Sequence, residues 1–352
     1  MTTEAAASPS EPSVITSSHN GVGRIELNKP KLINALSQEM VGAIDDALKS
    51  WRDEDTIKTV LVTGRGERGL CAGGDIKAVY NDIVAGTDEN ARFWNREYKM
   101  NHEISEFPKP YVVIMNGITM GGGVGISGHG SHRIVTDSTK IGMPETGIGL
   151  FPDVGGTHLL ANAPGELGTH LALTGLPVGA GAALAMGLAD YYVPDADVPG
   201  IIAELEAGGD VETVIGRYAT DAPENELAEA ASWIDECYTG ERAEDIVAAL
   251  AAHADPDANA AGKLIGTKAP TSVKVTLAAL RTAGNMSLAE VLEQDYRVAV
   301  ALTHRPDLKE GIRAQVIDKD RNPQWSPATF DEVSDETVHD ILTTDHKEKV
   351  FS

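Results

Sequence analysis

Two carboxylates eight residues apart, Glu145 and Asp153, stand in the run Met143-Pro144-Glu145-Thr146-Gly147-Ile148-Gly149-Leu150-Phe151-Pro152-Asp153-Val154-Gly155-Gly156. Apart from Thr146, everything around them is apolar, glycine or proline. A solvated loop has no use for Ile148, Leu150, Phe151 and Val154 beside its acids, so the run reads as half buried, with the acids pointing into something. Acids in an apolar cleft are the raw material of acid–base and nucleophilic chemistry, because burial and a like-charged neighbour push their pKa values apart. The same pattern fits a tight structural turn whose acids cap backbone N–H groups, and the segment by itself leaves both readings open.

Upstream, two glycine turns, Ala72-Gly73-Gly74 and Gly121-Gly122-Gly123, each follow a strand. A strand that ends in glycine before a helix exposes backbone N–H groups. Two of these converging on one point make an oxyanion hole, and a helix N-terminus adds its dipole. Close packing of helix on strand would use the same glycines. Other motifs fail. No GxxxxGK[ST] is present, which excludes a P-loop, and no GxGxxG follows a strand with an acid about 20 residues on, which argues against a nicotinamide site. Gly125-Ile126-Ser127-Gly128-His129 imitates a nucleophile elbow, but His129 stands where the second glycine belongs and Ser127 reads as a helix residue. Cys71 has no basic neighbour in sequence and reads as a buried thiol. The ten histidines show no metal-ligand spacing, and His129 and His132 stand apart from acids and cysteines, so no metal is expected.

The elements that must position these residues are legible as periodicities. Val22 to Leu27 alternates after His19-Asn20-Gly21 and reads as the second arm of a hairpin. Ser37 opens a helix on which Met40, Ile44, Leu48 and Trp51 share a face. Thr59–Thr63, Tyr111–Met115 and Arg133–Thr136 read as buried strands, with a helical stretch through Phe93, Trp94 and Tyr98 between the first two. This alternation predicts right-handed crossovers and a largely buried α/β sheet over residues 14–195. Strand signals then vanish. Residues 196–327 read as a helical region, with helices at 224–237, 242–252 and 287–303. Residues 1–13 read as a disordered leader, and 328–352 as a polar tail on which no element is predicted.

Composition narrows the partners. A chain of 352 residues, 42% hydrophobic, buries a sizeable core. No stretch approaches the roughly 20 apolar residues of a membrane span. The formal charge of −24 repels nucleic acid and anionic membranes, so neither is expected as a partner. Two distant cysteines, Cys71 and Cys237, fit a reducing compartment, and a cytoplasmic protein is expected.

The glycine turns and the acid segment, in this order, resemble the crotonase (enoyl-CoA hydratase/isomerase) superfamily, most nearly its 3-hydroxyisobutyryl-CoA hydrolase branch. Leu27-Asn28-Lys29-Pro30, Cys71-Ala72-Gly73-Gly74-Asp75-Ile76, Asn116 through Gly125 and Met143 through Gly156 carry the resemblance. It continues in Ala172-Leu173-Thr174-Gly175, Ser272-Val273-Lys274, Glu310-Gly311-Ile312-Arg313 and Ile317-Asp318-Lys319-Asp320, and so spans about residues 20–325. It implies a spiral of ββα turns binding an acyl-CoA thioester, with the N–H groups of Gly74 and Gly122 as oxyanion hole. Hydratases of the superfamily use two glutamates. Here the first position is Gly125 and the second is Glu145. In the hydrolase branch Asp153 supplies the second carboxylate, and Glu97 corresponds to a further substrate-contacting acid. The implied activity is hydrolysis of 3-hydroxyisobutyryl-CoA in valine breakdown, with CoA as part of the substrate and no separate cofactor. The alternatives are a hydratase or isomerase acting on another acyl-CoA, and a non-catalytic acyl-CoA-binding subunit. Lys29, Lys31 and Arg68 are candidates for the CoA phosphates. A homo-oligomer, trimer or hexamer, is usual in the superfamily.

Overall fold

The structure, a computed structural model, describes residues 11–351. Among the described residues, eight strands form two sheets. The larger has the order β1 (Val14–His19), β2 (Val22–Leu27), β3 (Thr59–Gly64), β4 (Tyr111–Ile114), β6 (His132–Val135), β8 (Tyr191–Tyr192). β1 and β2 form the antiparallel hairpin that the Asn20-Gly21 turn predicts, with His19 facing Val22, and every later pair is parallel. The second sheet pairs β5 (Ile118–Met120) with β7 (Lys140–Gly142), and the bridges Leu36–Gly74 and Cys71–Thr119 lie beside it. The chain therefore steps repeatedly from the large sheet to a short segment of the second layer, then to a helix, and back. This is the expected spiral of ββα turns. The sequence reading missed β5 and β7, whose three residues each are too few to show a period.

Apolar patterning sets the layers. Along β3 the run Thr-Val-Leu-Val-Thr is buried throughout, as a parallel strand covered on both faces requires. Alternate residues point opposite ways. Val60 and Val62 join the larger apolar cluster, whereas Leu61 meets Val112, Ile114 and Ile134 under the helices Val198–Glu206 and Val211–Tyr218. Helix α1 (Gln38–Arg52) starts at Ser37, whose hydroxyl accepts from the Met40 N–H, and it buries Met40, Ile44, Leu48 and Trp51. Helix α2 is Ile76–Ala85, α3 is Glu89–Ser105, α4 is Gly122–Ser127 and α5 is Gly156–Ala161.

Residues after 195 are helical, but they share the core of what precedes them: one cluster of buried side chains runs from Val14 to Val350. The helices Pro270–Ala283 and Leu288–Thr303 pack on α5 and α3, against the site. The helix expected at 224–237 is shorter, Ala231–Cys237. The tail after Pro327 departs from expectation. Ser334 caps a helix, Asp335–Thr343, that buries Val338 and Ile341. A two-residue apolar face is too faint to stand out from a polar stretch, and only docking on Pro270–Ala283 and Leu288–Thr303 makes it stable. Of the expected leader, residues 1–10 lie outside the described residues; Ser13 already continues the hairpin, its carbonyl accepting from Asn28. Among the described residues no helix is long and apolar enough to cross a membrane.

Candidate active site

A cavity of about 360 Å³ opens between the second sheet, α2, α3 and the C-terminal helices. Four segments distant in sequence meet on it. They are the turn at Gly73-Gly74, the face of α3 bearing Trp94 and Glu97, the turn at Gly121-Gly122, and the acid segment with Glu145 and Asp153. The structure thus brings together all five site residues read from the sequence: Gly74, Gly122, Glu97, Glu145 and Asp153.

The glycine turns present unused donors. Leu36 pairs with the flanks of Gly74, donating to the Gly73 carbonyl and accepting from Asp75, which leaves the Gly74 N–H on the cavity side. Gly122 is the first residue of α4, so its N–H has no intrahelical partner. Among the described residues neither N–H finds an acceptor. The two turns are close: a Cβ placed on Gly122 would stand 3.4 Å from the Gly74 nitrogen and 2.8 Å from Glu97 Oε1. Any side chain at 122 would therefore fill the point at which the donors converge. Gly121, with φ +50°, turns the chain into α4, and a Cβ there would stand 2.6 Å from Glu145 Oε1.

The acids are almost fully buried: Glu97 is 2% exposed, Asp153 5% and Glu145 7%. Glu97 Oε1 and Glu145 Oε2 have no hydrogen-bond partner among the described residues. Burial, and then the charge of Asp153, push Glu97 well above the ordinary carboxylate range. Glu145 is raised by the same causes in the same order, against a backbone hydrogen bond that pulls it down. Asp153 rises only to about 6. Burial lifts it, and the hydroxyl of the buried Tyr98, which donates to Oδ2 at 2.6 Å, holds it down. The three carboxyls interact closely enough through their charges that they share their protons as one coupled group.

Position 125 is closed. A Cβ on Gly125 would stand 2.8 Å from the Val154 Cβ and 2.9 Å from Asn101 Nδ2. Asn101 lies one turn beyond Glu97 on α3, fully buried, with both amide atoms unpartnered among the described residues. Sequence reasoning passed over Asn101; its place four residues after Glu97 is the signal that would have put both on one face. Also missed was Lys268, the one basic side chain lining the cavity among the described residues, whose pKa burial lowers. The expected phosphate ligands are not at the cavity. Arg68 donates to the carbonyls of Pro30 and Lys31, and Lys29 Nζ donates to Ser37 Oγ at 2.9 Å. Cys71 is buried, donates to the Asn34 carbonyl and has its thiol pushed up to about 12, so it is no nucleophile. Ser127 Oγ is spent on the Gly123 carbonyl inside α4.

Residues 22–342 match the enoyl-CoA hydratase/isomerase family. The chain is 39% identical to the rat protein named 3-hydroxyisobutyryl-CoA hydrolase, mitochondrial, over 90% of this chain and 85% of that protein. The crystal structure of a carnitinyl-CoA dehydratase from Mycobacterium thermoresistibile superimposes with a TM-score of 0.92, at 47% identity, covering 96% of this chain and 98% of that one. That of an enoyl-CoA hydratase from Rhodobacter sphaeroides gives 0.89 at 40% identity, covering 94% and 97%. With a match over nearly its whole length, the chain belongs to the enoyl-CoA hydratase/isomerase family.

Proposed function

We propose that this protein hydrolyses acyl-CoA thioesters, 3-hydroxyisobutyryl-CoA foremost, releasing the free acid and CoA in valine breakdown. The names of its relatives divide between hydrolysis and the addition or removal of water, so the site has to decide. What carries the reading is the placement of the second acid. Position 125, where a hydratase's first glutamate belongs, is a glycine walled in by Val154 and Asn101, while Asp153 faces the same cavity as Glu145. Adding water across a double bond in this superfamily uses an acid at that position together with the one at Glu145. A thioester carbonyl needs an oxyanion hole, a nucleophile or base, and a group to manage one proton.

The residues supply each part. The carbonyl oxygen accepts from the N–H groups of Gly74 and Gly122. Glu145 acts on the carbonyl carbon by one of two routes. In the first its carboxylate adds to the carbon, the C–S bond breaks, and water opens the resulting anhydride. In the second it takes a proton from a water that attacks directly. In the first route the sulfur leaves as a thiolate and takes up the proton that Asp153 later draws from the water opening the anhydride. In the second Asp153 passes on the proton that Glu145 took, so in both one water is consumed and one acid and one thiol are formed. Glu97, beside Gly122, is placed to meet the acyl hydroxyl.

Thiol release decides the matter. The protein is mixed in turn with 3-hydroxyisobutyryl-CoA, 3-hydroxypropionyl-CoA and crotonyl-CoA, and both free thiol and loss of the enoyl absorbance are followed. Faster release of thiol from the hydroxyacyl esters is the expected result. Hydration of crotonyl-CoA outrunning thiol release would overturn the proposal and favour the hydratase reading.

A further inference from the structure

Asp153 reaches the cavity through an unfavourable turn. Val154 has φ +53° and Gly155 has φ +73°, two consecutive left-handed residues. For a β-branched valine that conformation is a true outlier, costing on the order of 1–3 kcal/mol, and it persists only where surroundings hold it. The turn matters to the chemistry in two ways. It aims Asp153 at Glu145, and it drives the Val154 side chain into the space beside Gly125.

Two buried contacts grip it. The Val154 carbonyl lies 2.8 Å from His129 Nε2, which must donate, since a carbonyl only accepts. Burial lowers the His129 pKa to about 4, which favours the neutral ring carrying its proton on Nε2. One residue on, the Gly155 N–H donates at 2.8 Å to Asp295 Oδ2. Asp295 comes from the helix Leu288–Thr303, is fully buried, and has its other oxygen unpartnered among the described residues. A Cβ on Gly155 would strike the His129 ring at 2.8 Å, so the glycine is required by space as well as by φ. An isolated carboxyl is an expensive way to fill a core. Here it accepts from the Gly155 N–H of the strained turn.

We infer that Asp295 and His129 are positioning residues which clamp the Val154–Gly155 turn and thereby hold Asp153 in register with Glu145. The inference rests on the hydrolase reading, since it assigns them a share in Asp153's work. The clamp places the second acid of hydrolysis and closes the first acid position of hydration with one backbone turn.

The test is a mutant cycle read by thiol release from 3-hydroxyisobutyryl-CoA. Asp295→Ala removes the acceptor; Asp295→Asn keeps an oxygen facing the Gly155 N–H. Displacement of a catalytic group by about 1 Å costs up to roughly a hundredfold, so kcat should fall at least about tenfold in the alanine variant with KM little changed, and stay within about threefold in the asparagine variant. In an Asp153→Asn background the alanine substitution should cost less than about twofold, because the group it serves is already gone. A merely structural role predicts equal fractional losses in both backgrounds. That result, or equal losses for Ala and Asn, overturns the inference. His129→Phe, which keeps the ring and deletes the donor, repeats the test should Asp295→Ala fail to fold. Wild-type protein releasing no thiol would instead sink the hydrolase reading. The clamp is then read from crystal structures: Val154 leaving positive φ in Asp295→Ala supports it, and an unmoved turn overturns it.

Discussion

Asp153→Asn should make the protein more stable and nearly inactive. Burial lifts the Asp153 carboxyl from its ordinary 3.8 to about 6, and keeping it ionised in the folded state at neutral pH therefore costs on the order of 3 kcal/mol. A group whose folded pKa is raised binds its proton more tightly folded than unfolded. Its cost is absent below about pH 3.8, grows as pH rises, and is complete above about 6. Asparagine carries no charge and can still accept from Tyr98, so the variant escapes the cost. The gain over wild type should be about 1 kcal/mol at pH 4.5 and approach about 3 kcal/mol at pH 8. That is an upper bound, because Glu97, Glu145 and Asp295 each feel the Asp153 charge and give up protons more readily once it is gone. Urea denaturation at the two pH values reads the stability, and thiol release reads kcat, which should fall by about a hundredfold with KM little changed. A variant less stable than wild type at pH 8, or a gain independent of pH, would refute the view that Asp153 is a charge held against its solvation.

Glu145→Gln is nearly isosteric and should lower kcat at least about a hundredfold while leaving CoA-ester binding intact by calorimetry. Gly122→Ala keeps the N–H but sets a methyl 2.8 Å from Glu97 Oε1 and 3.4 Å from the Gly74 nitrogen, so kcat/KM should drop by the roughly 3 kcal/mol expected for one oxyanion donor. Lys268→Met keeps the stem and deletes the only cation at the cavity among the described residues. A rise in KM for acyl-CoA with kcat unchanged is expected, and an unchanged KM would remove Lys268 from the binding site.

What could be read from the sequence was local. Ser37 announced α1 because capping is a matter of three residues, and β3 announced itself because five buried residues in a row fit only a covered parallel strand. Glu145, Asp153 and the two glycine turns stood out because polar groups and glycines are conspicuous in apolar surroundings. What could not be read was anything set by distant contact. Asp295 meets Gly155 across 140 residues of chain, and nothing near either announces the other. Asn101 looks like any polar helix residue until α4 packs against α3. Charge at Lys31 and Arg68 is visible in sequence; that one guanidinium nitrogen of Arg68 donates to the carbonyls of Pro30 and Lys31 is not.

The remaining alternative, a binding subunit without catalysis, conflicts with what the fold sustains. Glu97, Glu145, Asp153 and Asp295 are buried close together and each is raised by burial, with no cation among the described residues paired to offset it. Beside them a valine is held in the left-handed region. Each feature costs stability, and each has a single-residue remedy: a glutamine or asparagine for an acid, a glycine for Val154. Binding a CoA ester requires none of them, since a cavity and two N–H donors suffice. Mutation supplies stabilising changes freely wherever function does not forbid them. A chain released from catalysis would shed such costs, so their retention together supports the proposal that Asp153 takes part in catalysis. Wild-type turnover with the loss of activity and gain of stability in Asp153→Asn would show the two sides of that exchange in one variant. Wild type without turnover would leave the buried charges unexplained.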